Sequence, residues 1–303
     1  MIDAPGTTGR PGRPTPARTH ELLDPSASAD AGAMTLRTAA SLGDWARGLG
    51  APFDPRAAPL AAMIPAFAAP WSPPEVCFLA GRTALWALAL DARTDGPDAR
   101  PHAVERGLAH LRAVAVGSTP GADPLARALA GIRHDLLSGP NGAVLAPVWE
   151  DAALAALDGT LFEFRAARRM SLGHPAPTLD AYLHHARGSI GFALVVLALW
   201  SDPAVGEEAA GAADLRQACR VASLATRLAN DLSGVARERD EGTLNAILLG
   251  LPPRTARRRV HRLLTDCRES LRPRTATGCP AALALERQLL WSVRQYRHGD
   301  LGH

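Results

Sequence analysis

The sequence contains no lysine: all 33 of its Lys and Arg positions are Arg. That absence excludes Schiff-base and pyridoxal-phosphate chemistry, which need a Lys amine, and the phosphate loop that ends in Lys-Ser/Thr. Cysteine is scarce. Cys77, Cys219, Cys267 and Cys279 stand far apart, with no CxxC and no Cys/His set at zinc-ligand spacing, so reduced, mainly buried thiols are expected. Long apolar runs are missing too. The longest, "IGFALVVLALW", is too short to span a bilayer, and the N-terminal segment lacks the apolar stretch of a secretory signal. A cytoplasmic protein with no membrane partner is expected. Formal charge is only +3, and the one Arg cluster, "RTARRRVHR" at 254–262, reads as a solvated helix face. A nucleic-acid partner would need an extended basic face and is not expected.

What is present is helical periodicity. A chain of 303 residues can bury one sizeable core. Residues 1–33 are rich in Pro, Gly, Ser and Thr without an apolar period and are expected to form a tail, leaving 34–303 as one domain. From about residue 35, apolar residues recur at helical spacing between Gly and Pro punctuation, and no alternating strand pattern is found. Helices are predicted near 76–94, 102–116, 123–137, 147–169, 178–200, 213–239, 254–271 and 280–297. So many helices predict an all-α bundle around a central cavity.

Two clusters of oxygen-bearing side chains fall on these helices. In "ALWALALDARTDGPDA", Asp91 and Asp95 are four residues apart and share a face near the last turn, where the helix dipole disfavours negative charge. A hard cation such as Mg²⁺ would justify them; a solvated helix end is the plain alternative. In "ATRLANDLSGVARERDEGTLNA", Asn230, Gly234 and Glu238 fall at i, i+4 and i+8, with Ser233 beside them. Pairing of Arg237 with Asp240 and Glu241 would account for the charges after 236. It leaves Asn230, at the end of an apolar run, unexplained.

"NDLSGVARE" resembles the Asn-Ser/Thr-Glu metal motif of class I terpene synthases, N-D-x-x-S/T-x-x-x-E, and "DARTD" resembles a reduced form of their Asp-rich motif. The resemblance runs from about residue 40 to the C-terminus. It implies a class I terpene synthase-like helical bundle in which both motifs hold three Mg²⁺ ions on a substrate diphosphate. Asp91 and Asp95 would serve two ions, and Asn230 and Glu238 the third. Gly234 stands where that motif has Ser/Thr, so water or Ser233 would supply the missing oxygen. Ala92 stands where a second consecutive Asp is common.

Further segments extend the resemblance. "YLHHARGSIGFA" resembles the family's diphosphate-sensor segment, with Arg187 as sensor, Ile190 as linker and Gly191 as the helix-breaking residue. A Gly inside an apolar helix costs about 1 kcal/mol relative to Ala, so a local break or close packing should explain it. Arg237 matches a basic residue that contacts diphosphate. "WSVRQYRHGD" resembles the closing Arg-Tyr pair, with Gln295 between Arg294 and Tyr296 and with Arg297 as the other candidate. The resemblance also implies a homodimer.

The helix faces behind the two motifs are small: Ala87, Ala84, Thr83 and Ala80 behind Asp91, and Thr226 and Ser223 behind Asn230. Such faces leave volume for a long isoprenoid. Phe78, Trp86, Phe164, Phe192 and Trp291 are candidates for shaping the cavity and facing cations. The expected activity is Mg²⁺-dependent ionisation and cyclisation of geranylgeranyl diphosphate. A sesquiterpene synthase using farnesyl diphosphate, a cyclase acting on a pre-cyclised diterpenyl diphosphate, and a catalytically silent isoprenoid-binding protein remain open alternatives.

Overall fold

The structure is a computed structural model that describes residues 25–95 and 100–298, without the side chain of Asp95. Among them there is helix and no strand. In chain order the helices are α1 (Pro25–Leu49), α2 (Ala58–Ala68), α3 (Pro74–Asp95), α4 (Pro101–Ala115), α5 (Pro124–Ser138), α6 (Gly142–Ser171), α7 (Leu179–Ser189), α8 (Phe192–Leu199), α9 (Glu207–Ala210), α10 (Ala213–Glu241), α11 (Pro253–Thr275) and α12 (Pro280–Gln295). A 3-10 turn, Tyr296–His298, follows α12.

Local sequence sets the ends that matter for the site. Pro124 opens α5, and Asp123 caps it by accepting from the Leu125 amide at 3.1 Å. The same carboxylate receives Arg93 of α3 at 2.8 Å, so one residue both caps α5 and ties down the end of α3 that carries Asp91. Thr178 caps α7 through the Ala181 amide at 3.2 Å. Between α7 and α8 the chain turns at Gly191, whose φ of 68° is a left-handed conformation that a side chain disfavours. The predicted helix 178–200 is therefore two helices.

The segment Leu179–Leu199 has the length and apolarity of a membrane span, yet it is broken at Gly191 and most of its apolar window is buried inside the fold. It is core. The other large buried side chains are anchored by their polar tips: Trp86 donates to the Leu125 carbonyl at 3.1 Å and Trp200 to the Ala281 carbonyl at 3.0 Å. All four cysteines are free thiols, three of them buried, and burial pushes Cys77, Cys219 and Cys267 up to about 12.

Two expectations need correction. The tail boundary at 33 falls inside α1, whose buried stripe of Ala31, Met34, Thr38, Leu42 and Ala46 begins within the excluded stretch. Within residues 25–33 only Ala31 belongs to that stripe, so its apolar period is faint in the excluded stretch. Residues 1–24 lie outside the described residues. Helix α2, outside the predicted segments, is the other: its sequence "APLAAMIPAFA" holds Pro65 inside the helix.

Candidate active site

A cavity of about 610 Å³ lies between α3, α6, the α7–α8 break, α10 and α12. That volume suits a small organic ligand. Helix α3 contributes Ala84, Ala87 and Asp91, spaced to share one face, and α10 contributes Thr226, Asn230 and Glu238. Asp91 and the Asn230–Glu238 pair thus reach the same space from two different helices. Gly191 packs against α3 so closely that a Cβ there would stand 3.0 Å from the Ala87 methyl.

Flanking Asn230, α10 carries a buried polar network that sequence reasoning missed. Arg227 donates to the Tyr182 hydroxyl at 2.8 Å and to Asp231 Oδ1 at 2.9 Å, and it lies 3.4 Å from Glu163 Oε2 on α6. Tyr182 donates to the same Asp231 oxygen at 2.8 Å, and the Ala246 amide donates to the other at 3.2 Å. Burial opposes the charge on Arg227, but Glu163, Asp231 and Glu238 around it hold its pKa well above the ordinary value. Burial also raises Tyr182 and Asp231. Arg227, Glu163 and Arg168 all line the cavity, whereas Asp231 is fully buried. The signal available in the sequence was the i, i+4 pair Arg227 and Asp231 inside an otherwise apolar run.

Glu238 is buried at the cavity wall. Its Oε2 accepts from Asn245 Nδ2 at 2.7 Å, and Arg237 Nη2 lies 3.4 Å from Oε1. Asn245 also donates to the Asp231 carbonyl at 2.7 Å, stitching the segment after α10 back onto it. Burial pushes the Glu238 carboxyl up to about 7, against the lowering effect of Arg227 and the Asn245 hydrogen bond. A carboxylate that costs this much to ionise is one that a bound cation would stabilise.

The donor set suits a hard divalent cation. Asp91, Asn230 and Glu238 offer oxygen ligands to the cavity, and among the described residues no three His, Cys, Asp or Glu side chains converge to hold a metal unaided. Ions placed there would complete their shells with water and with oxygens of a bound ligand.

Other predicted positions are placed differently. Ile190, Gly191, Phe192, Phe164, Trp291, Arg237 and Tyr296 line the cavity. Arg187 does not: it lies on a second cavity of about 590 Å³ with Arg216, Arg220 and Ser223, because the last turn of α7 points it away from the break. Ser223 bonds the Cys219 carbonyl at 2.9 Å on that side. Trp86 and Phe78 also face away from the cavity. Trp86 packs on α5 and Phe78 lies under the Arg82 guanidinium, 4.9 Å from it, since both are off the 84–87–91 face. Arg294 and Arg297 are exposed, so neither lines the cavity. Ser233 and Gly234 are not among its lining residues either. The Asp95 side chain lies outside the described residues. Arg237 pairs with Glu241 at 2.8 Å, as the charge pattern suggested.

Residues 83–270 match the family model described as terpene synthase family 2, C-terminal metal binding. The chain belongs to this family. The matched region contains Asp91, Asn230 and Glu238 together. Among curated proteins, this terpene synthase family chain is 29% identical over 178 residues to ent-pimara-9(11),15-diene synthase of Streptomyces sp. strain KO-3988, a match that spans 58% of the chain and 60% of that relative. Its fold is that of linalool/nerolidol synthase from Streptomyces clavuligerus in complex with 2-fluorogeranyl diphosphate (TM-score 0.70, 18% identity, 87% of this chain and 94% of that one). The fold of 2-methylisoborneol synthase from Streptomyces coelicolor A3(2), solved with Mg²⁺ and geranyl-S-thiolodiphosphate, is similar as well (TM-score 0.67, 15% identity, 89% and 94%). The all-α, class I terpene synthase-like architecture expected from the sequence is the one found.

Proposed function

We propose that this chain is a class I diterpene synthase that ionises geranylgeranyl diphosphate and cyclises the resulting allylic cation, releasing diphosphate. The observation that carries this reading is the meeting of Asp91 with Asn230 and Glu238 at one cavity. Those three residues would hold Mg²⁺, three ions on the family pattern. When bound, the ions supply the charge that stabilises the departing diphosphate. Arg237 and Arg168, on the same cavity wall, are the chain's own donors to that anion. Phe164, Phe192 and Trp291 give the rest of the cavity aromatic surface, which excludes water and offers ring faces to a migrating cation.

Substrate length rests on two supports. The walls behind the metal-site residues are Ala84, Ala87 and Thr226, small enough to leave room for a long chain, and the curated relative is named as a synthase of a diterpene. Farnesyl diphosphate is the second reading, and a pre-cyclised diterpenyl diphosphate the third.

Thermal unfolding separates the enzyme reading from a silent isoprenoid binder. Mg²⁺ and diphosphate together raise the melting temperature, and each alone does less, because ligands that bind only the folded state stabilise it. No joint effect would refute a functional metal site.

A further inference from the structure

A half-buried carboxylate in a cavity wall carries a desolvation cost that calls for an explanation. Glu163 is such a group. It projects from α6 into the cavity beside Thr160 and Phe164, separate from the metal-site residues of α3 and α10. Both of its oxygens are held: Oε1 accepts from the Ser189 hydroxyl, and Oε2 lies 3.4 Å from Arg227 Nη2. Ser189 is the last residue of α7, directly before the break at Ile190 and Gly191, which also lines the cavity. Arg227 precedes Asn230 by three residues on α10, and its guanidinium reaches along the helix to Asp231 Oδ1 at 2.9 Å, so the Glu163–Arg227 pair links α6 to α10 beside Asn230. A hydrogen-bonded carboxylate is thus fixed in the cavity wall on α6, apart from the α3 and α10 groups that would hold the diphosphate and beside Phe164, on wall that would meet the hydrocarbon part of a substrate.

We propose that Glu163 is the proton acceptor that ends the cation cascade, with Ser189 and Arg227 as the residues that position its carboxylate. A carbon next to a cationic centre gives up a proton to a Glu163 oxygen, and the electron pair of that C–H bond becomes a new C=C bond. The positive charge on the hydrocarbon is discharged, Glu163 becomes neutral, and its proton passes to solvent water once the product leaves. The product is therefore an alkene and not an alcohol. This rests on the proposed synthase activity and adds the fate of its final cation.

Geometry keeps the ion pair in place during the reaction. Arg227 is also fixed by Tyr182 and Asp231, so it does not depend on Glu163 for its position. Loss of the base leaves the cavity shape and the metal-site residues intact and leaves the final cation to water. Positioned general bases contribute on the order of 10²-fold or more, enough to make capture by water the faster path once the base is gone.

The test measures products by gas chromatography and mass spectrometry, normalised to diphosphate released, for wild type, Glu163→Gln and Ser189→Ala with Mg²⁺ and each of geranyl, farnesyl and geranylgeranyl diphosphate. Wild type yields alkene. In Glu163→Gln, which keeps an oxygen for Ser189, the ratio of alcohol and misplaced-alkene products to the native alkene rises about tenfold or more. Ser189→Ala moves the ratio in the same direction by less, and it carries the test alone if Glu163→Gln fails to fold. A counterion role for Glu163 alone would change stability without changing this ratio. An unchanged ratio in the folded variants, or an alcohol from wild type, overturns the proposal while the synthase reading stands. No diphosphate release by wild type overturns both.

Discussion

The Glu238 carboxylate lies over Gly234: a Cβ built at position 234 would stand 2.6 Å from Glu238 Oε1. The acid occupies the space in which a Ser or Thr side chain would begin. The missing hydroxyl of the metal motif and the conformation of its Glu are therefore one feature of this site. Gly234→Ser forces Glu238 outward, and the contact is with the end of a flexible side chain, so the fold tolerates it. The substitution puts a hydroxyl beside Glu238, whose carboxylate lines the cavity although Gly234 itself does not. The Mg²⁺ concentration for half-maximal diphosphate release falls roughly threefold to tenfold, about 0.6–1.4 kcal/mol of binding free energy. A rise in that concentration would show that Glu238 must keep its present position to bind metal.

Stability should depend on pH through Glu238. Its carboxyl is pushed up from an ordinary value near 4.5 to about 7 by burial. Between those values the native state holds a proton that the unfolded chain has lost, so stability falls as pH rises through this window. The loss amounts to about 3 kcal/mol at most. In chelator, Glu238→Gln lacks this loss. It unfolds at a higher urea concentration than wild type at pH 8, and the difference disappears near pH 4.5. Equal midpoints for both proteins at pH 8 would contradict the buried-acid account.

Arg227→Met tests the polar network under the metal-site face. It leaves Asp231, fully buried, without its cation, and breaking one partner of such a pair costs about 3–5 kcal/mol. Urea unfolding at pH 7 measures it. A loss below about 1 kcal/mol, the worth of an exposed pair, would mean that Asp231 and Tyr182 hold the helix without Arg227.

Gly191→Ala meets two obstacles. A left-handed φ costs an L residue about 1–2 kcal/mol, and the new methyl would press on Ala87 at 3.0 Å. Displacing the break by a fraction of an ångström disturbs Ser189, Ile190 and Phe192 on the cavity wall. Steady-state turnover drops roughly 10²-fold, with a modest fall in melting temperature. Full activity in this variant would remove the break from the catalytic machinery.

The bundle was legible in the sequence because long helices announce themselves by period. Eight predicted segments cover α3 to α8 and α10 to α12, and the one qualitative error among them, a single helix over 178–200, contained its own correction in Gly191. Helices α1 and α2 were not legible, since α1 begins with a single buried Ala31 before residue 34 and α2 is rich in Ala with an internal Pro, which carry little contrast. At the site, Asp91, Asn230 and Glu238 were singled out by their spacing on helix faces together with the motif resemblance, and all three line one cavity. Arg187 was misplaced because spacing along a chain does not tell which side of a helix break a side chain leaves from. Trp86 and Phe78 were drawn in by their chemistry although their position on α3 excluded them. Glu163 and Arg227 went unseen because their meaning lies in each other, and 64 positions separate them in the sequence.

The central claim is that Asp91, Asn230 and Glu238 form one metal-dependent ionisation site. It is tested most directly by incubating the purified chain with Mg²⁺ and, separately, geranyl, farnesyl and geranylgeranyl diphosphate. Released diphosphate is measured, and organic extracts are analysed by gas chromatography and mass spectrometry. The account predicts a cyclic product from geranylgeranyl diphosphate, lost in chelator and reduced at least 10²-fold in Asn230→Ala and in Glu238→Ala. Product formation that persists in both variants, or that does not need a divalent cation, would contradict it.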